Sequence, residues 1–292
     1  MPLFYCLSQA SRAICAAWSE RELWEPRGHG LIGQEPAAQA TRTAFVTNYG
    51  VQMDNRPTGA FGMVAEATGS PTFAGTGTVA QLWASIPGFP MPNVLVGDLP
   101  RCLHVETATA AESGRPVLNA VLSPTHAVLR KPANAAAELL APFPTARRYE
   151  AVGERPGLIE GAEPRAIVAF PGEDGNFRPL SEVAERVPDE DGPLSRGFVF
   201  RPPVGDGNTQ PPTQLVTLWA LLFALSQLTR YYPAAWVGAL DEDDSDVAVT
   251  LDEGLELALA LAPELISRDL GFPLGRAVQA VRQAAPQNGP EL

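Results

Sequence analysis

Two stretches near opposite ends of the chain repeat one another. Leu7 to Trp18 reads LSQASRAICAAW and Leu225 to Trp236 reads LSQLTRYYPAAW; they share L-S-Q, an Arg at the sixth place and a closing A-A-W, and Ser11 is exchanged for Thr229. Such an echo points to two related helices, and a fold holding both must gather the two ends of the chain around one core. Spacing supports the first copy, since Leu3, Leu7, Ala10, Ile14 and Ala17 fall on one stripe with Arg12 roughly opposite. The second copy closes an apolar segment, Gln214 to Tyr232, in which Leu215, Leu218, Trp219, Leu222, Phe223, Leu225 and Leu228 leave almost no polar face. That pattern belongs to a central buried helix. Pro211 and Pro212 suit its first turn. Pro233 stops or kinks it, because proline lacks the helical N–H and collides with the carbonyl four residues back.

Between the two copies the pattern is mixed. Arg27 to Gly33, RGHGLIG, is a glycine-punctuated turn, and from Thr41 the segments TAFVTNYG, FGMVAEATG, RPVLNAVLS and RAIVAFPG read as short strands bounded by Gly, Pro or Asn. Val79 to Ile86 and Ala133 to Ala141 read as helices that end near Pro87 and Pro142. This is no regular β-α alternation, which argues against a doubly wound nucleotide-binding sheet. Phe170 to Thr213 is rich in Pro, Gly and acidic residues and reads as long loops around one strand, Gly197 to Arg201. A last helix is expected from Thr250, where Thr250-x-x-Glu253 has the form of a capping box and Leu255, Leu259 and Ala262 form the stripe, with Pro263 bending or ending its first section. The expected fold is α+β: a mainly helical core formed by the N-terminal and C-terminal segments, with a mixed strand-helix insertion. In residue terms this is a single domain over 1–283, with helical core 1–26 and 211–283 and insertion 41–201, then a flexible tail over 284–292. Trp18 and Trp236 are expected at equivalent places on neighbouring helices.

Charge narrows the partners. The net charge of −12 lies in one half: residues 1–150 carry 11 basic and 11 acidic side chains, residues 151–292 carry 10 and 22. An acidic C-terminal half repels phosphate backbones and anionic lipid, so broad nucleic-acid binding there is disfavoured, and the contacts left open are a protein partner or a homo-oligomer. The longest apolar run, Leu215 to Leu225, contains Thr217 and is too short to cross a bilayer. The first residues lack the basic region of a secretory signal, and a chain that opens inside a helix suggests that the true start lies upstream of Met1. Cys6, Cys15 and Cys102 form no C-x-x-C or Cys/His cluster, so reduced thiols and a cytoplasmic location are expected, with no metal and no cofactor implied.

Three residues are ligand-binding candidates. Arg12 and Arg230 hold the same slot of the echo, and side by side their guanidinium groups could take a shared anion such as phosphate. The alternative has each satisfied by a carboxylate or by backbone carbonyls, and for Arg230 by the helix end before Pro233. His29 lies in Gly28-His29-Gly30, where flanking glycines let backbone approach a ligand; a plain surface turn is the other reading. His104 and His126 have no nucleophile or metal partner at diagnostic spacing. In Asp241 to Asp246 and on to Asp252, a calcium-loop match fails because Asp246 stands where Gly is needed and Asp252 where Glu is usual. Walker, nucleophile-elbow and H-E-x-x-H signatures are absent.

The opening P-L-F-Y-C-L-S-Q-A-S-R-A helix, the following G-H-G-L, S-I-P at Ser85 to Pro87, and L-S-Q-L-T-R-Y-Y-P-A-A-W together resemble the YaaC-like family of uncharacterised bacterial proteins. The resemblance loosely covers nearly the whole chain and brings no established catalytic residues. Helical ribonucleases of the HEPN type place a His after an Arg on a long helix; here Ala235, Trp236 and Val237 follow Arg230, and Ala17, Trp18 and Ser19 follow Arg12, which disfavours RNA cleavage by that motif. The function expected is a non-catalytic interaction or regulatory protein. The alternative is an enzyme or sensor acting on a phosphorylated small molecule or RNA through Arg12, His29 and Arg230.

Overall fold

The computed structural model describes residues 2–18, 25–34, 49–54, 58–73, 75–90, 99–109, 116–121, 139–146, 150–151, 165–169, 185–186, 197–205, 210–240 and 247–284. Helix α1 (Pro2–Trp18) opens the chain, and α4 (Gln214–Tyr231), α5 (Pro233–Ala239) and α6 (Val247–Ala284) close it. Between them lie β1 (Leu31–Gly33), β2 (Gly50–Met53), α2 (Ala60–Thr68), β3 (Thr76–Thr78) and α3 (Val79–Ala84). There follow β4 (Leu103–Thr109), β5 (Pro116–Val121), β6 (Glu150–Ala151), β7 (Arg165–Ala169), β8 (Glu185–Arg186) and β9 (Gly197–Phe200). The fold is α+β, with a helical core drawn from both ends of the chain.

Two antiparallel sheets occupy the middle. The first has the order β1-β2-β3, with Leu31 opposite Met53 and Gly50 opposite Thr78. The second has the order β6-β7-β5-β4-β9-β8, with Val105 facing Ala120 on one side and Phe198 on the other. Leu103, Val105, Val199 and Phe200 are buried, and the Phe200 ring meets Phe143 at 6.1 Å.

Helix α4 is the axis of the main core. Every residue from Gln214 to Ser226 is buried, so burial on all sides, not an amphipathic stripe, holds it in place. Pro211 and Pro212 stand just ahead of it instead of in its first turn; Thr213 is the N-cap and its N–H is taken by Ser70 Oγ at 2.8 Å. The helix ends at Tyr231, and Pro233 starts α5 at the one helical position that requires no N–H.

Packed against α4 are α1 and, from the intervening segment, α2 and α3. On α1 the buried residues are Phe4, Leu7, Ser11, Ile14 and Cys15. This stripe is turned slightly from the one Leu3, Ala10 and Ala17 indicate, because α1 is clasped by α2 and α6 as well as α4.

Three local expectations are corrected. FGMVAEATG is helix α2, not a strand: Phe61, Val64 and Ala65 are buried at helical spacing. It ends in a left-handed Gly69 (φ 66°), with Ser70 N–H returning to the Ala65 carbonyl at 2.8 Å. Helix α6 begins at Val247, so Thr250 lies inside it, buried, and is no N-cap. Of the two outcomes expected at Pro263, an end to the helix is overturned, since α6 runs on to Ala284. The helix Ala133–Ala141 lies largely outside the described residues, as do most of TAFVTNYG, the acidic run Asp241–Asp246, His126 and residues 285–292.

The echo is half kept. Leu7 and Leu225 are both buried, Arg12 and Arg230 both exposed, and Ser11 and Thr229 both turn their hydroxyls back onto their own helix. Beyond that the copies part. Trp18 ends an unbroken helix and donates Nε1–H to the Asp269 carbonyl of α6 at 3.0 Å, whereas Trp236 stands on α5, past the break at Tyr232. Both indoles rest half-buried on the same core.

Candidate functional site

The Gly28-His29-Gly30 loop works first as a cap. Helix α2 starts at Ala60 behind Gly59, which has no side chain to satisfy the first N–H groups; the Gly28 carbonyl accepts from Ala60 N–H (3.2 Å) and the His29 carbonyl from Phe61 N–H (2.9 Å). Gly28 and Gly30 both adopt φ 76°. At Gly30 a Cβ would lie 2.9 Å from Gly59 C and Phe61 N, so glycine is required both by conformation and by the closeness of α2.

That seating aims the His29 ring at the start of α1 and the middle of α4. His29, Phe4 and Phe223 form a triangle of rings with centroids 5.3, 5.5 and 5.8 Å apart. The residue is exposed overall, yet these phenyl rings strip solvent from the imidazole. Its pKa is lowered from the ordinary histidine value, first by this desolvation and then by the positive charge of Arg230. His29 and Arg230 are therefore near enough to feel one another. Arg230 is exposed at the end of α4, with its guanidinium carbon 6.0 Å from the Tyr231 ring centre. Arg12 is exposed two turns along α1 from Phe4, and none of the contacts among the described residues joins it to His29 or Arg230.

Sequence reasoning missed Arg201. It follows β9 at only 3% exposure, and its guanidinium is spread over three segments. Nε–H donates to the Ser85 carbonyl (2.7 Å), an Nη1 hydrogen to the Pro212 carbonyl, and Nη2 to Thr217 Oγ1 (2.8 Å) and, at 3.4 Å, to Ser85 Oγ. Ser85 in turn donates to the Pro202 carbonyl at 3.1 Å. The S-I-P turn after α3, the end of β9 and the start of α4 are thus tied by one side chain. An Arg alone in the apolar run GFVFRPPV is the available signal.

A groove of about 730 Å³ runs between α1 and α6, lined by Leu3, Cys6, Leu259, Pro263, Ile266 and Leu270 among others. Leu259, expected in the core stripe, is 59% exposed and forms part of this wall. The inward face of α6 is instead Leu251, Gly254, Ala258, Ala262 and Leu265. Gly254 explains the turn of the helix: a Cβ there would lie 2.6 Å from the buried Trp83 indole.

Among the described residues no group of His, Cys, Asp and Glu is arranged to hold a metal ion, and no helix is long and apolar enough to cross a membrane. No curated protein and no solved structure matches the chain. Residues 190–270 match the family model described as YaaC-like protein, so the chain is similar to YaaC-like proteins over β9, Arg201, α4, α5 and most of the described part of α6 facing the groove.

Proposed function

We propose that this is a non-catalytic interaction or regulatory protein of the cytoplasm, making its contact through the groove between α1 and α6. The observation that carries the reading is a contrast between two kinds of residue. Among the described residues the deeply buried cation Arg201 is committed to backbone and hydroxyl partners, and the G-H-G loop caps a helix; the open concavity, by contrast, is walled mainly by Leu, Ile, Pro, Ala and Gly, with the Cys6 thiol and the Ser267 hydroxyl as its polar groups. Such a surface suits recognition of apolar side chains better than proton transfer. The same reading takes residues 1–283 as one domain; in its favour, residues from Phe4 to Phe89 and from Val204 to Leu265 share one core, which the buried residues of the second sheet do not join. Thermal-shift screening at millimolar nucleotide and phosphorylated metabolite should leave the midpoint unchanged. A shift of several degrees with any of them counts against the proposal.

One observation favours the second reading, a phosphorylated small molecule or RNA held through Arg12, His29 and Arg230. Arg230 depresses protonation of an exposed imidazole beside it, and an anion seated between the two would reverse that effect. Titration of the His29 ring by NMR with and without inorganic phosphate tests this directly. A rise in its pKa with phosphate, lost in Arg230→Gln, supports the anion site; an unchanged titration removes it.

A further inference from the structure

The exposed flank of α6 that leads into the groove is acidic. Asp252, Glu256, Leu259 and Pro263 succeed one another at spacings of four, three and four residues, so they lie along one side of the helix, and exposed Glu253 and Glu264 border that line. Among the side chains described on α1 and on α6 as far as Gly271, the basic groups are Arg12 and Arg268. Arg268 is already paired with Asp269 at 3.0 Å, and Arg12 lies nearly two turns beyond Cys6 on α1. The apolar walls span Leu259 to Leu270, about 16 Å of helix, which matches a visiting helix of roughly three turns.

We propose that the groove between α1 and α6 receives a basic amphipathic helix of a partner protein, its apolar stripe seated on Leu3, Leu259, Pro263 and Ile266 and its Lys and Arg residues facing Asp252, Glu253, Glu256 and Glu264. This rests on the interaction reading above and names the partner's chemistry. Helix-in-groove recognition takes its affinity from apolar anchors at three- and four-residue spacing, while complementary charge at the rim sets orientation and association rate. A second copy of this chain is a poor occupant. Approaching groove to groove, it would set the same acidic flank of α6 against a like-charged rim.

Cys6 supplies a reporter inside the groove. It is exposed and lines the walls, whereas Cys15 is buried, its thiol pushed up to about 11 by desolvation and the charge of Glu66, and Cys102 donates its S–H to the Ala84 carbonyl at 3.4 Å. The experiment uses the full chain with three labelled peptides of about 14 residues: a Leu/Lys amphipathic helix, its Leu/Glu counterpart, and a Leu/Lys peptide with the stripe scrambled. Binding is followed by fluorescence anisotropy, and alkylation of each cysteine by peptide mapping.

The Leu/Lys helix should bind and slow Cys6 alkylation about tenfold while leaving Cys102 unaffected; Leu259→Glu should abolish both effects, and the pair Glu256→Lys and Glu264→Lys should weaken binding about tenfold. The scrambled peptide should do neither. Binding without protection of Cys6, or binding indifferent to the charge reversals, overturns the proposal. Equal protection by the Leu/Glu helix overturns the basic partner but leaves the groove as the contact surface. Silence from every peptide removes the groove itself, and the interaction reading then depends on the thermal-shift screen alone.

Discussion

Replacing Arg201 tests whether the stretch matched by the family model is held together by one side chain. Arg201→Ala removes the donors for the Ser85 and Pro212 carbonyls and for Thr217 Oγ1, all in buried residues where water cannot substitute. A buried acceptor left without a partner costs about 1–3 kcal/mol, and a hydrogen bond to a charged group contributes about 1.5–3 kcal/mol. The loss should therefore be about 3–5 kcal/mol, a large share of the stability of an ordinary domain. Arg201→Met separates two contributions, since it refills most of the volume but still orphans the Ser85 carbonyl and leaves the Pro212 carbonyl only the long 3.4 Å contact from the Thr217 hydroxyl; it should recover no more than about 1–2 kcal/mol of the loss. Arg201→Lys keeps the charge but offers a single ammonium, which cannot reach Ser85 and Pro212 in the planar geometry of a guanidinium, so it should stay well below wild type. Urea unfolding followed by circular dichroism and tryptophan fluorescence gives the numbers, with coincidence of the two probes checking two-state behaviour. Wild-type-like stability in Arg201→Ala, or full recovery in Arg201→Met, would refute the argument that hydrogen bonds, and not packing, are what Arg201 contributes.

Two further tests bear on the helices around the site. Gly254→Ala should lower stability despite the gain of about 1 kcal/mol that alanine usually brings to a helix interior, because its Cβ would overlap the buried Trp83 ring at a cost of about 1–3 kcal/mol; Gly271→Ala, on the same helix with open space around it, should raise the thermal midpoint. For His29, the folded pKa lies below the unfolded value of about 6.5, so the unfolded chain binds the extra proton: the contribution of this residue to stability is present above that pH and is lost as pH falls toward the folded pKa. Arg230→Gln should move the NMR titration of His29 upward only part of the way to its ordinary value, since desolvation by Phe4 and Phe223 is the larger cause and remains; a complete return would mean that the ring packing is not as described.

The parts of the fold legible in the sequence are those decided by local forces. Helix α4 can be read because Gln214 to Leu228 saturates every helical phase with apolar side chains, and Pro233 can be read because a missing N–H admits few positions. Strands β5, β7 and β9 are readable from their short alternating runs. What stays hidden is set by partners distant in the chain. FGMVAEATG fits both alternation through Phe61, Met63 and Ala65 and helical pairing of Phe61 with Val64 and Ala65, and the cap that settles it comes from Gly28 and His29. Likewise Arg201 takes its meaning from Ser85, 116 residues earlier.

Helix α6 shows most clearly why the site is harder to read than the fold. A hydrophobic stripe judged by side-chain size points Leu255 and Leu259 inward, yet the inward face carries Gly254, Ala258 and Ala262 between Leu251 and Leu265. Small residues there let α6 approach the Trp83 indole and α1 more closely than a leucine face would permit, and the backbone gains its contacts through proximity instead of bulk. Turning the helix in this way moves Leu259 from core to surface, next to Pro263 and Ile266 and across from Leu3 and Cys6. The exposed apolar groove is therefore a consequence of how the core is packed. It follows that enlarging the inward face should also close the site: a substitution at Ala258 or Ala262 that the core accepts must push α6 away from α1 and change the groove before it changes the helix.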